Sequence, residues 1–166
     1  AKTTLENWYQ TNIGSKADLS SKVASGNYYC EQAKAKWSDS YTSGSANMIV
    51  YSSYMPNFKC ATDGNGKSAV NVSVGLLSYD EVVYSGGYYN QNNSSYYLYN
   101  SAIVWWTMSS AGISGSTSIV WGVYTTGLIY NYDVRNAYSF RPVINLKDDT
   151  KISSGNGTKN NPYLLS

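Results

Sequence analysis

Histidine is absent from this chain. Its absence removes the commonest general base and the commonest metal ligand together. A Ser-His-Asp or Cys-His catalytic arrangement cannot be built, and zinc chemistry would have to rely on cysteine and carboxylates alone. Cysteine is scarce too: Cys30 and Cys60 are the only two, too few for a zinc ribbon. Charge is sparse, with 13% charged residues and a net charge of +2. That balance points to neither nucleic acid nor an anionic membrane. Only Arg135 and Arg141 could stack on bases, so no nucleic-acid partner is expected. There is no run of about 18 apolar residues and no leader-peptide pattern after Ala1. A leader or membrane segment is therefore expected only outside this stretch, and no membrane insertion by the stretch itself. No Walker-type or dinucleotide glycine loop is present, and no cofactor is expected.

What the chain does have is tyrosine, 18 of them, with 5 tryptophans and 14 glycines among many Ser and Asn residues. Disordered segments are poor in aromatics, so this composition belongs to a folded protein. Its 166 residues suit one domain over 1–166. Tyr, Ser, Gly and Asn are the palette of antibody-like binding loops. They are equally the palette of a β-rich extracellular domain, and composition leaves both open. Few charges and abundant Ser, Asn and Tyr favour an oxidising compartment. A Cys30–Cys60 disulfide is expected there, with two buried thiols as the alternative.

Patterning along the chain places helices first and strands later. Thr3 and Glu6 have capping-box spacing, and Leu5, Trp8, Tyr9 and Ile13 recur at helical intervals up to Gly14. Ser15 and Asp18 suit the start of a second helix carrying Leu19 and Val23 and ending at Gly26. A strand is expected over 47–54. A loop over 56–67 follows, whose Asp63-Gly64-Asn65-Gly66 is turn chemistry. A calcium loop is disfavoured because Val74 stands twelfth from Asp63. Residues 70–77 form a strand candidate, and Ser78 with Glu81 predicts a capped helix over 79–84, closed by Gly86-Gly87. A polar loop over 88–95 precedes strands near 96–99, 102–108, 117–124, 128–134 and 138–146. Thr125-Thr126-Gly127 forms a tight hairpin between two of them. Tyr163 to Leu165 suits a last short strand. Two or three helices followed by an antiparallel meander make an α+β protein. The adjacent carboxylates Asp80 and Glu81 do not face each other on a helix, and they suit its N-terminus better than catalysis.

Several segments resemble a known superfamily. Val74 to Gly87 is similar to the strand-into-helix segment of formylglycine-generating-enzyme-like domains. Trp105-Trp106-Thr107-Met108-Ser109 and Ser139-Phe140-Arg141-Pro142-Val143-Ile144-Asn145-Leu146 resemble two later strands of those domains. More fully, the chain resembles surface-protein domains of gut Gram-positive bacteria. The likeness lies in Leu5-Glu6-Asn7-Trp8-Tyr9, Pro56-Asn57-Phe58-Lys59-Cys60, Leu76 to Gly87, Trp106 to Ser110 and Arg141 to Leu146. It continues in Gly155-Asn156-Gly157-Thr158 and Asn161-Pro162-Tyr163. Each motif is weak alone; their order and spacing together are more specific, and they cover nearly the whole chain. The resemblance implies a C-type-lectin-like fold, shared with the variable proteins of diversity-generating retroelements. It also implies a bacterial, extracellular or cell-surface location.

The departures narrow the function. No cysteine follows Cys60, so the late cysteine pair of formylglycine-generating enzymes is missing, and an enzyme is not expected. The Glu-Pro-Asn or Gln-Pro-Asp loop of calcium-dependent lectins is missing as well, so no metal is expected. Ser110 stands where the surface group usually has proline. The family fold opens on a strand paired near the C-terminal one, whereas this chain opens in a helix. That implies a strand upstream of Ala1 or one supplied by another segment.

In retroelement-diversified proteins the ligand lies against the region between the two matched strands. Here that places ligand contacts at Ile113, Ser114, Ser116, Trp121, Tyr124, Tyr130, Tyr132, Asp133, Arg135, Asn136 and Tyr138, with Tyr88, Tyr89 and Asn90 as a rim. Along 119–124, Ile119, Trp121 and Val123 share one strand face and Val120, Gly122 and Tyr124 the other. One face is expected to cover the core and the other to bind. The ordinary alternative is a meander with tyrosines on its wet side. Arg141 suits a structural role, pairing with Asp80 or Glu81 to fix helix to sheet. The expected function is an adhesin- or receptor-type domain with a protein or glycan ligand. The alternatives are a self-assembling pilin-like or surface-layer subunit and, further off, a formylglycine-generating-like enzyme.

Overall fold

A computed structural model of the chain describes residues 2–30, 69–114, 117–158 and 160–166. Among the described residues three short α-helices and eleven strands, several of two residues only, make it an α+β protein. Helix α1 (Lys2–Tyr9) winds into a π-type turn over Gln10–Gly14, and α2 (Ala17–Ser20) follows. Strands β1 (Asn27–Cys30) and β2 (Ala69–Val72) pair antiparallel. Next come β3 (Gly75–Leu76), α3 (Tyr79–Tyr84) and β4 (Tyr88–Tyr89). The long strands β5 (Trp105–Ser114), β6 (Thr117–Val123) and β7 (Leu128–Asp133) lead into β8 (Ser139–Phe140) and β9 (Pro142–Val143). Strands β10 (Ile152–Ser154) and β11 (Leu164–Leu165) close the chain as an antiparallel ribbon.

The main sheet has the order β4-β7-β6-β5-β8. Its centre is the expected antiparallel meander β5-β6-β7, but both edges run parallel to their neighbours. The sheet is therefore mixed. The reason is connectivity: β8 follows β7 through a loop that carries the chain past β6 to the far side of β5. There it runs in the same direction as β5. The strand expected over 138–146 splits for the same reason. Ser139 and Phe140 pair with β5, whereas Pro142 and Val143 pair with β3, and Leu146 bridges Val23.

Local signals were strongest at α3 and at the hairpin. Ser78 accepts a hydrogen bond from the Glu81 amide, and the Glu81 carboxylate accepts one from the Ser78 amide at 2.7 Å. Two orphan donors are thereby satisfied, and the two acidic residues sit where the helix dipole favours them. Gly86, at φ +109°, ends the helix. At the β6–β7 turn the Gly127 amide donates to the Tyr124 carbonyl, with Gly127 at φ +81°.

Elsewhere tertiary packing overrode the pattern. Thr3 lies inside α1 instead of capping it, and Trp8 of the supposed apolar face is exposed while Leu5 and Tyr9 are buried. Helix α2 stops at Ser20 and exposes Leu19; Val23 lies beyond it, in the bridge to Leu146. The 70–77 strand is cut in two around Ser73 and Val74. Residues 96–99 are a turn, the Tyr99 amide donating to the Tyr96 carbonyl, although Tyr96 and Leu98 are buried as strand alternation would have them. The Asn100 side chain takes the Ala102 amide at 2.8 Å, and β5 begins only at Trp105. The strand over 47–54, the loop over 56–67 and Cys60 lie outside the described residues, and so does any test of the Cys30–Cys60 bridge.

Two apolar clusters occupy the two faces of the central strands. On the α3 side, Tyr79, Val82, Tyr96 and Leu98 pack on Trp105, Ile119, Trp121, Val123 and Ile129. On the α1 side, Leu5, Tyr9, Val23, Val74 and Leu76 pack around Trp106. Among the described residues no helix is long and apolar enough to cross a membrane.

Candidate ligand-binding face

The register of β6 against β7 sets the two faces apart. Val120 sits opposite Tyr132 and Gly122 opposite Tyr130. Because side chains alternate, these four share the face turned away from α3. Gly122 has no side chain, and the Tyr132 ring lies over it: a Cβ there would stand 3.0 Å from the ring. Glycine at 122 thus lets a tyrosine lie flat across the sheet.

Tyr132 is the centre of a ring cluster. Its ring lies 5.1 Å from Tyr138, 5.8 Å from Tyr130, 6.2 Å from Trp106 and 6.5 Å from Tyr124. Trp106 in turn lies 5.0 Å from Tyr138. Edge-on and offset contacts at these separations are favourable beyond simple burial. Trp106 is almost fully buried and anchors the cluster, whereas Tyr124 and Tyr130 keep 41% and 40% of their surface exposed. The cluster is therefore anchored at Trp106 on β5 and partly open at Tyr124 and Tyr130. Burial pushes the Tyr132 hydroxyl well above the usual phenol range, and Tyr138, Tyr124 and Tyr130 add to the shift. The phenol stays neutral near pH 7. It offers a hydroxyl and a ring face, not a nucleophile or a base.

The residues expected at the rim lie on β4 and in the turn after it, and Tyr89 also packs against the cluster on the α3 side. β4 pairs with β7, which brings Tyr89 to 6.3 Å from Tyr130 with the rings nearly parallel. Tyr88 is exposed, and Asn90 adopts φ +53° as the chain turns back, exposed as well. At the far end of β7, the Arg135 guanidinium donates two hydrogen bonds to Asp133 from Nε at 3.0 Å and a third from a terminal nitrogen. Arg135 holds the Asp133 carboxyl below its ordinary value. Asn136 lies exposed in the same turn.

Other expected positions fall elsewhere. Trp121 is not a contact residue: it is fully buried on the α3 side, 4.9 Å from Tyr79 and 5.4 Å from Tyr89. Being an odd position of β6, it faces the core that α3 covers. Ile113 and Ser114 pair with Ser118 and Thr117 at the opposite end of the β5–β6 ladder from Tyr124; Ser116 is outside the described residues. Arg141 pairs differently from expectation. It donates to the Leu98 carbonyl and lies 5.3 Å over the Trp105 ring, so it pins the 95–100 turn to the sheet.

Sequence reasoning missed what lies beside Tyr138. A cavity of about 540 Å³ opens between α1, β2, β3 and the loop from β7 to β8, with Trp106 and Tyr138 common to it and to the ring cluster. The signal was present in the alternation of Trp106 and Met108 along β5, but nothing local showed that α1 stands off the sheet there. Among the described residues no three metal-binding side chains gather. Comparison with family models, curated proteins and solved structures finds no match.

Proposed function

We propose that this chain is a C-type-lectin-like domain of a bacterial surface protein, displayed outside the cell. It contacts a protein or glycan ligand through Tyr124, Tyr130, Tyr132 and Tyr138, with Tyr88 and Tyr89 at the rim. It acts by contact and makes no covalent bond. The observation that carries this reading is the ring cluster on Tyr132: anchored by Trp106 on β5, with Tyr124 and Tyr130 exposed, on the sheet face opposite α3. Rigid tyrosines give large contact area at small entropic cost. Diversification by a retroelement is the finer form of the proposal. Coding DNA with Asn-type AAC or AAT codons clustered over 109–138, beside a near-copy repeat, supports it. A gene without that repeat makes the domain a fixed adhesin.

The test is a labelled domain applied to printed glycans and to immobilised extracellular proteins, compared with a Tyr124→Ala/Tyr130→Ala double variant. Truncating two exposed aromatics is expected to cost ~1 kcal/mol or more each. A double variant that binds every positive spot as the parent does would remove the reading.

Self-association is the second reading. Ile152, Tyr163 and Leu164 stand more than half exposed on or beside the C-terminal ribbon. Light scattering over a concentration series distinguishes it. Growth of mass with concentration, abolished by Ile152→Lys, favours a structural subunit.

A further inference from the structure

We propose that the cavity beneath α1 is a second binding site, taking the hydrocarbon chain of a monomeric amphiphile with an uncharged head. Its volume of about 540 Å³ falls within the range of small-molecule pockets. Its walls decide what enters. Leu5 of α1 and Leu76 of β3 face Met108 and Val120 of the sheet, and Phe140 and Trp106 complete it. Away from the exposed lining residues, Trp106 carries an indole N–H, Tyr138 a hydroxyl, and Thr107 a hydroxyl that is already committed. It donates to the Trp121 carbonyl at 2.8 Å and accepts from the Ser109 amide at 3.2 Å. The deep part is therefore mostly apolar and offers an occupant few hydrogen bonds from the described side chains. Water, which needs two to four polar partners, is a poor filling there, and hydrocarbon is a good one. Opposed aliphatic walls with a flexible Met108 suit a bending chain better than a rigid planar ring.

The mouth specifies the head group. Lys2 and Glu6 stand there one helical turn apart, their charged ends 3.9 Å from each other and both well exposed. Opposite charges so close leave little net field, so neither a carboxylate nor an ammonium is favoured. Asn136, exposed across the mouth, supplies an amide for a hydroxyl or ester. Trp106 holds the floor, packed against Tyr132 and Tyr138, so the cavity is supported by the same rings that build the binding face. Yet Tyr124 and Tyr130 do not line it. The two sites can therefore fail separately.

The experiment uses N-decyl dansylamide, an uncharged fluorescent head on a straight hydrocarbon chain, as the reporter on the whole domain, displaced by 1-decanol or by decanoate. Expected is a saturable, blue-shifted signal at one reporter per chain, with 1-decanol competing at least as well as decanoate. Ala137→Trp places a ring in the mouth from an exposed loop position, and Val120→Phe fills a wall. Each is expected to weaken the reporter ~10-fold or more, a difference of about 1.4 kcal/mol. The Tyr124→Ala/Tyr130→Ala variant is expected to bind the reporter as the parent does. In the same series, phosphatidylcholine vesicles are expected to leave the domain in the supernatant. The proposal is overturned by a folded parent that gives no saturable signal, or by Ala137→Trp binding with parental affinity and an unchanged melting curve. Decanoate outcompeting 1-decanol ~10-fold overturns the uncharged head. Vesicle sedimentation that Ala137→Trp abolishes overturns the monomeric ligand in favour of a membrane lipid.

Discussion

Tyr96 gives the sharpest test of the packing. Its ring is buried between α3 and the β6–β7 hairpin, its hydroxyl donates to the Gly127 carbonyl at 3.1 Å, and its Cβ abuts Gly86. Burial raises its pKa from 10.0 to about 12, and nearby Arg141 offsets only part of that. Below about pH 10 the phenol is neutral in folded and unfolded chains alike, and its stabilising contribution is complete. Above that the unfolded chain releases the proton while the folded one retains it, so stability falls as pH rises, until about pH 12. At about pH 11 the unfolded phenol is about tenfold ionised and the folded one hardly at all, a loss of about 1.4 kcal/mol. Tyr96→Phe removes the hydrogen bond and is expected to cost ~1 kcal/mol at neutral pH. It also removes this titration. Urea unfolding followed by circular dichroism between about pH 8 and about pH 11 should show the parent's advantage shrinking to nothing or reversing. Groups common to both proteins cancel in the comparison. Two stability curves that stay parallel across that range would refute the reasoning, because a buried neutral phenol at position 96 cannot produce them.

Trp121→Ala is expected to cost ~3–5 kcal/mol and Tyr130→Ala less than ~1 kcal/mol, since only the first ring is a buried core ring; similar melting temperatures would contradict the facing of β6. Ser78→Ala should lose ~1 kcal/mol by uncapping α3, and Ser78→Asp should keep most of it, as read from urea midpoints. Gly127→Ala combines a left-handed backbone with a Cβ driven against the Asn93 carbonyl. It should cost ~1–3 kcal/mol or more, measured by the thermal melt, and a neutral result would disprove the turn geometry.

The chain alone carried several features whose cause is local. The Ser78–Glu81 box is a contact three residues long, and helix α3 appears where it was expected. The turn at Thr125-Thr126-Gly127 and the two-residue alternation of 119–124 likewise depend on neighbours in sequence. Missing histidine and abundant tyrosine bounded the chemistry before any fold was known. What the alternation could not settle is which face is covered, because that depends on α3 and α1 arriving from far away in the chain. Hence Trp121 and Tyr132, equally plausible as contacts on paper, end on opposite sides of the sheet. The same holds for Tyr96 and Leu98, buried at alternate positions by a turn and not a strand, and for the 138–146 segment, divided between two sheets by its partners. The cavity is wholly tertiary: it is the gap left where an amphipathic helix crosses a sheet without filling the space between. Spacing within a segment fixes which side chains travel together, but only packing between segments decides whether they meet protein or solvent.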